Sequence, residues 1–159
     1  MDQLILDVLI DIRIAVLTPM IILFTQLTGP TLMFIYSLVW GVWQKNVIAP
    51  LAVGLANLAS HFLKKLLERP RPDIAFHLVE ETNFSLPSGH AVGVAACAVA
   101  IGYFANKWWK IMLWVLALLV GLSRLYVGVH WPSDVLVGWA IGAVIPVIVI
   151  TSWSYLRRR

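Results

Sequence analysis

The sequence predicts an all-α, integral-membrane fold: a six-helix bundle preceded by a short helix lying in the membrane interface. Three observations predict it. Of 159 residues, 60% are hydrophobic and only 13% are charged, where a soluble domain carries about 25%. The mean hydropathy is +0.86. Six apolar stretches, near 14–28, 30–44, 47–63, 89–106, 109–123 and 132–154, take up most of the chain. Little is left for loops, so residues 1–159 read as a single membrane-embedded domain.

The chain opens with "MDQLILDVLIDIR". It has Asp2, Asp7 and Asp11, no basic leader and no small-residue cleavage site, so it does not read as a signal peptide. Asp7 and Asp11 fall one turn apart among leucines and isoleucines, which is the pattern of an interfacial helix. The first, second and fifth apolar stretches fall short of the ~17–25 residues a crossing needs. They span only with help from flanking residues or a thinned bilayer. The third stretch ends before Pro70 and Pro72, which remove backbone donors. The fourth follows Ser88, a good N-cap. Its Cys97 is a small packing residue, and Pro132 suits the first position of the last helix. Gly93 with Cys97, and Gly138 with Gly142, form small-xxx-small pairs that let helices approach.

With the N-terminus inside, the inner face holds Arg13, Lys45, Lys107, Lys110 and Arg157 to Arg159, seven cations. The outer face holds Lys64, Lys65, Arg69, Arg71 and Arg124, five cations. The excess places both termini in the cytoplasm. Trp40, Trp43, Trp108, Trp109, Trp153 and Tyr155 mark the headgroup level on that side. The net charge of +4 would suit nucleic acid, but the basic residues sit at membrane boundaries, so no nucleic-acid partner is expected. Whatever the polarity, loops 64–88 and 123–134 share one face, because two helices separate them.

Every passage with chemistry in it lies on that face. "KKLLERPRP" brings Lys64 and Arg71 to a helix end and a stiff turn; arginine grips phosphate with a fork and lysine with a point charge. "FSLPSGHAVGVAAC" sets Ser88, Gly89 and His90 at a helix start, where free N–H groups favour an anion. "SRLYVGVHWPSD" carries Arg124 and His130, with Asp134 four residues on, able to orient the imidazole. Taken singly, each has a plainer reading as a helix end, a capped start or an interfacial loop. Together they form a costly, convergent set of ionisable groups in a membrane protein, which reads as a functional site. Three cations, a helix N-terminus, two histidines and a carboxylate suit phosphoryl transfer.

These residues resemble the three-part signature of the type 2 phosphatidic acid phosphatases. Lys64 and Arg71-Pro72, then Pro87-Ser88-Gly89-His90, then Ser123-Arg124, His130 and Asp134 stand in the family's order and spacing. Arg69-Pro70 is out of register, since it would need a lysine where the chain has Phe62. The similarity covers about residues 61–138 and implies the roles. His130 would attack phosphorus and form a phosphohistidine, Asp134 would hold its tautomer, and His90 would protonate the leaving oxygen. Lys64, Arg71, Ser88, Gly89 and Arg124 would bind the phosphate. The implied substrate is a lipid phosphate or isoprenoid pyrophosphate: phosphatidic acid, phosphatidylglycerol phosphate or undecaprenyl pyrophosphate. The small size and outward site suit the envelope lipid metabolism of a bacterial cell membrane.

No metal or other cofactor is expected, because the site supplies cations where divalent ions prefer carboxylate clusters. Glu80 and Glu81 are expected to be solvated loop charges, and His61 and His77 lie outside the signature. Two rivals from other classes are a transporter and a protein that only holds anionic lipid. A transport path would place ionisable residues near the bilayer midplane, and simple binding leaves both histidines and Asp134 without a purpose. The vanadium haloperoxidases share the signature but are soluble and much larger.

Overall fold

The computed structural model describes all 159 residues. They form α1 (Asp2–Asp11), α2 (Thr18–Leu27), α3 (Pro30–Trp43), α4 (Ile48–Leu67), a 3-10 turn (Ile74–Phe76), α5 (Gly89–Phe104), α6 (Lys107–Tyr126) and α7 (Pro132–Leu156). Two helices outrun their apolar stretches in a way that builds the site. α4 carries Lys64 and Lys65 in its last turn, and α6 carries Arg124 in its own, where cations meet the negative end of a helix.

α5 is the central post. Every residue from Ala91 to Ala98 is buried, as expected of a helix that is small and apolar on all sides. α4 packs on it through Ala52, Val53 and Ala56, beside Val92, Val94 and Ala96. α7 approaches through the small pair foreseen at 138 and 142. A Cβ on Gly138 would stand 2.8 Å from the Ala91 Cβ and 2.9 Å from the Ser88 carbonyl oxygen. The outer surface is apolar: Trp108, Met112, Leu118 and Leu122 of α6 and Leu136, Val144 and Ile148 of α7 are exposed. α6 and α7 are each long and apolar enough to cross a bilayer. The protein is an integral membrane protein with its core side chains inside and its greasiest ones facing lipid.

The first apolar stretch departs from expectation. α2 and α3 together have the length and hydropathy of one span, but they meet at a 55° bend. Both ends of α2 are tied to one end of the bundle. The Thr18 hydroxyl bonds the Tyr126 hydroxyl at 2.9 Å, and Thr25 Oγ1 accepts from Arg124 at 2.7 Å. Its ten residues cover only about 15 Å, so α2 lies across that end. α1 does the same. Asp2 pairs with Arg69 at 2.7 Å, Leu6 is fully buried, and Arg13 donates to the Tyr126 and Phe76 carbonyls at 2.8 and 2.7 Å.

The bundle proper is therefore α3 to α7, of which α6 and α7 are long and apolar enough to cross alone, and α3 only together with α2 as a bent pair. The N-terminus lies at the end that holds the polar passages. The C-terminus lies at the other end, where Trp153 and Arg157 line a cleft with Lys45, Asn46 and Phe104. The two termini thus lie at opposite ends of the bundle. The charge count let every apolar stretch cross, and so set Arg13 and Asp2 apart from the polar passages they in fact bond.

Candidate active site

Backbone bonds draw four chain segments into one cluster. The Ser88 N–H donates to the Asp134 carbonyl at 3.0 Å, tying the start of α5 to the start of α7. The Ser85 N–H donates to the Arg69 carbonyl and the Leu78 N–H to the Val127 carbonyl, both at 2.9 Å. These hold loop 73–88 against the ends of α4 and α6. Gly128 turns the loop after α6 at a φ of +76°, with the Phe76 carbonyl seated where a side chain would stand. All eight residues singled out from the sequence meet here.

His130 lies in the short loop between α6 and α7, outside the membrane-spanning helices, and is 1% exposed. Its Nδ1 faces Asp134 Oδ2 and the Ser85 hydroxyl, each at 3.4 Å, while Nε2 faces Arg71 NH1 at 3.3 Å. A guanidinium has no acceptor, so Nε2 carries the lone pair and Nδ1 the proton. Burial pushes the His130 pKa well below the ordinary histidine value, and the Arg71, Arg124 and Lys64 charges push the same way. The result is a neutral imidazole whose bare nitrogen faces a cation.

Asp134 is wholly buried. Its Oδ2 accepts from the Trp131 N–H at 2.9 Å, closing the first turn of α7, and from the Ser85 hydroxyl. Its Oδ1 accepts from Arg69 at 2.7 Å. Sequence reasoning missed both side-chain donors. Register set Arg69 aside from the phosphate set without saying where its charge goes, and the only hint was its place in a doubled Arg-Pro. Ser85 belongs to no motif and gave no signal.

Glu81 is the largest correction. It was expected to be solvated, yet its side chain is only 19% exposed, and it bridges Arg71 at 3.2 Å and Arg124 at 2.5 Å. Two buried guanidiniums side by side need a counter-charge, and the loop brings one. Glu80 is exposed, as expected. Arg71 is held besides by the Val129 carbonyl at 2.6 Å and the Asn83 side chain at 2.5 Å. Lys64 donates to the Phe84 carbonyl at 2.5 Å.

Two buried polar atoms of the set have no protein partner: Ser88 Oγ and Arg124 Nε. Ser88 stands at the N-cap of α5, but its hydroxyl makes no capping bond, which corrects the role given to it. Leaving a buried donor unpaired costs about 1–3 kcal/mol, so two together mark a place built for an acceptor. Gly89 fits that reading. A Cβ there would come no nearer than 3.7 Å to any atom, with Lys64 Cε at 4.0 Å, so packing does not demand glycine.

The His90 Nε2 lies 3.2 Å from the Thr25 carbonyl. His90 and Arg124 line a cavity of about 850 Å³ shared with Gln26, His77 and Glu81. Lys64 and Gly89 line another of about 440 Å³ with Asn57, Ser60, His61 and Asn83. His77 is engaged with the Pro72 carbonyl at 3.1 Å. No three His, Cys, Asp or Glu side chains converge as a metal-binding group would.

Comparison with known proteins places the chain. The family profile described as "PAP2 superfamily" matches residues 45–158. Phosphatidylglycerophosphatase B of Bacillus subtilis is 38% identical over 120 residues, covering 69% of this chain and 57% of that protein. An undecaprenyl-diphosphatase of Sulfolobus acidocaldarius is 36% identical over 121 residues, covering 75% and 52%. The chain thus spans little more than half the length of these relatives. Among solved structures, the transmembrane PAP2-type phosphatidylglycerolphosphate phosphatase of B. subtilis superposes with a TM-score of 0.85 at 31% identity, over 97% of this chain and 85% of that one. Aquifex aeolicus LpxE superposes with a TM-score of 0.79 at 26% identity, over 92% and 93%. With a family match that takes in α4 to α7 and every signature residue, this chain belongs to the PAP2 superfamily.

Proposed function

We propose that this chain is a metal-independent membrane phosphatase that hydrolyses a lipid phosphate or isoprenoid diphosphate through a phosphohistidine. The observation that carries the reading is the pairing of a bare His130 Nε2, facing Arg71, with two unpartnered buried donors on Ser88 and Arg124. A nucleophile and an acceptor-hungry pocket in one cluster suit a phosphoryl group.

In the first step the His130 Nε2 lone pair forms the N–P bond as the bond from the terminal phosphorus to the leaving oxygen breaks, the lipid oxygen of a monophosphate or the bridging oxygen of a diphosphate. His90 gives that oxygen its proton. Lys64, Arg71, Arg124, the Ser88 hydroxyl and the Gly89 N–H hold the three spectator oxygens, and such positioning and neutralisation supply most of the catalysis. In the second step His90 takes a proton from water, which attacks phosphorus, releases phosphate and restores His130. Asp134 keeps the Nδ1 proton in place throughout.

The relatives named above act on phosphatidylglycerol phosphate and undecaprenyl diphosphate, and both are candidate substrates here. Phosphate release by purified protein, with EDTA present, from phosphatidic acid, phosphatidylglycerol phosphate and undecaprenyl pyrophosphate tests the reading. Release that disappears in His130→Ala supports it. Release from none of the three, with no trapped phosphohistidine, sinks it.

The site and the N-terminus face away from the cytoplasm. Exposed cations support this: Lys45, Lys107, Lys110 and Arg157 to Arg159 all face solvent at the far end. At the site end Arg13, Lys64, Arg69, Arg71 and Arg124 are engaged within the protein, and Lys65 is left exposed. A plain count of Lys and Arg is level at six for each end, so the orientation rests on the exposed cations, which gather at the far end. Labelling of single cysteines at positions 80 and 158 in intact cells checks it. An outside-only reagent modifies position 80 and spares 158; the opposite pattern reverses the orientation.

A further inference from the structure

Arg69 belongs to the Arg69-Pro70-Arg71-Pro72 turn but does not join the phosphate cluster. Its guanidinium nonetheless makes three hydrogen bonds within the protein. NH1 donates to Asp134 Oδ1 and to Ser133 Oγ, and NH2 donates to Asp2 Oδ2, each at 2.7 Å. The Ser133 N–H donates to Asp2 Oδ1 at 3.1 Å, and its hydroxyl donates to Asp2 as well. The Trp131 ring lies against the guanidinium, 5.8 Å from centroid to Cζ. The chain Asp2–Arg69–Asp134 thus runs from the first turn of α1 to the carboxylate beside His130.

That carboxylate has two oxygens with different tasks. Oδ2 faces His130, and Oδ1 is pinned by Arg69. Asp134 is faced by the Arg69 cation and the neutral His130 in contact, with the Lys64 and Arg71 cations acting over a longer range. Lys64 and Arg71 spend their bonds on backbone carbonyls, Asn83 and Glu81, so Arg69 is the cation that bonds the carboxylate. A buried carboxylate stripped of its counter-charge is costly and turns to find another partner. Arg69 in turn is about 30% exposed, so it needs an anchor of its own against solvent, and Asp2 supplies one.

We propose that Arg69 is a positioning residue for the reaction, fixing Asp134 so that His130 keeps its attacking nitrogen free, and that Asp2 of α1 holds Arg69 in place. The proposal rests on the phosphatase reading above. It makes α1, which gives no hydrogen bond to a phosphate-binding residue of the signature, part of the apparatus that orients the nucleophile.

Steady-state kinetics of the whole chain in detergent tests it. Arg69→Gln lowers kcat about 10- to 100-fold and leaves KM within about twofold, because the lost interaction acts on the nucleophile and not on substrate binding. Arg69→Lys, which keeps the charge, recovers part of the loss. Asp2→Asn lowers kcat about 3- to 10-fold. In an Asp134→Asn background, Arg69→Gln has no further effect, since it works through a group already removed. Losses that multiply in both backgrounds, or an Arg69→Gln kcat near that of the wild type, overturn the proposal. Nitrogen NMR of histidine-labelled protein gives a readout free of turnover. The wild type shows His130 protonated at Nδ1 and bare at Nε2, and Arg69→Gln shows the two tautomers mixed. An unchanged His130 tautomer in Arg69→Gln overturns the positioning role. Wild-type protein that turns over no lipid phosphate overturns the phosphatase reading instead.

Discussion

Glu81 and Arg124 meet at 2.5 Å across 43 positions of sequence, and the same carboxylate reaches Arg71 on its other side. A loop side chain thus holds the two guanidiniums that a substrate phosphate would claim. Glu81→Gln keeps the shape and removes the charge. Competitive inhibition by inorganic phosphate should tighten about 3- to 10-fold, or about 0.7–1.4 kcal/mol. An unchanged inhibition constant would show that Glu81 does not compete for the site.

Ser88 separates stability from binding. Its hydroxyl is buried and has no partner, so Ser88→Ala breaks no bond in the protein. The thermal unfolding midpoint should stay level, with stability within about 0.5 kcal/mol. A bond to a phosphate oxygen is charge-assisted and worth about 1.5–3 kcal/mol, so kcat/KM should fall about 10- to 100-fold. A loss of stability with no loss of activity would make Ser88 a structural residue.

The buried His130 gives folding a pH dependence. A histidine ordinarily titrates near 6.5, and burial among Arg71, Arg124 and Lys64 holds this one well below that. Above 6.5 neither the folded nor the unfolded form carries the proton, and the group adds nothing. As pH falls below 6.5 towards the folded value, the unfolded chain gains a proton that the folded one refuses. Stability therefore drops by up to about 1.4 kcal/mol per pH unit. Unfolding midpoints at about pH 7.5 and about pH 5.5 should fall further apart in the wild type than in His130→Asn. Equal gaps would remove His130 as the cause.

Gly138 links packing to the site. A Cβ there stands 2.9 Å from the Ser88 carbonyl, whereas one on Gly102 meets nothing nearer than 3.6 Å. Gly138→Ala should cost about 1–3 kcal/mol and raise KM, because α7 pushes the start of α5 away. Gly102→Ala should leave KM unchanged and hold or improve stability, as alanine favours helix by about 1 kcal/mol. Equal effects at the two positions would argue against steric transmission through α7.

What the sequence determined by itself was local or periodic. Apolar runs foretold α3 to α7, because a helix in lipid must satisfy its own backbone and show apolar side chains outward. Gly138 and Gly142 showed which face of α7 could come near another helix, and the structure seats that face on α5. Lys64, Arg71, Ser88, Gly89, His90, Arg124, His130 and Asp134 could be picked out as candidates because they stand in the order and spacing of a three-part signature, on loops that share one face.

Only the tertiary structure decided what depends on distant pairs. That Arg69 goes to Asp134 and Asp2, and Glu81 to Arg71 and Arg124, follows from how loop 73–88 folds over the ends of α4 and α6. A long flexible side chain on a loop has no period that would give its partner away. The side on which α1 and α2 lie was hidden for a related reason. A largely apolar ten-residue helix can rest across a bundle end or help to cross it, and the bonds of Thr18, Thr25 and Arg13 to residues more than sixty positions away made that choice.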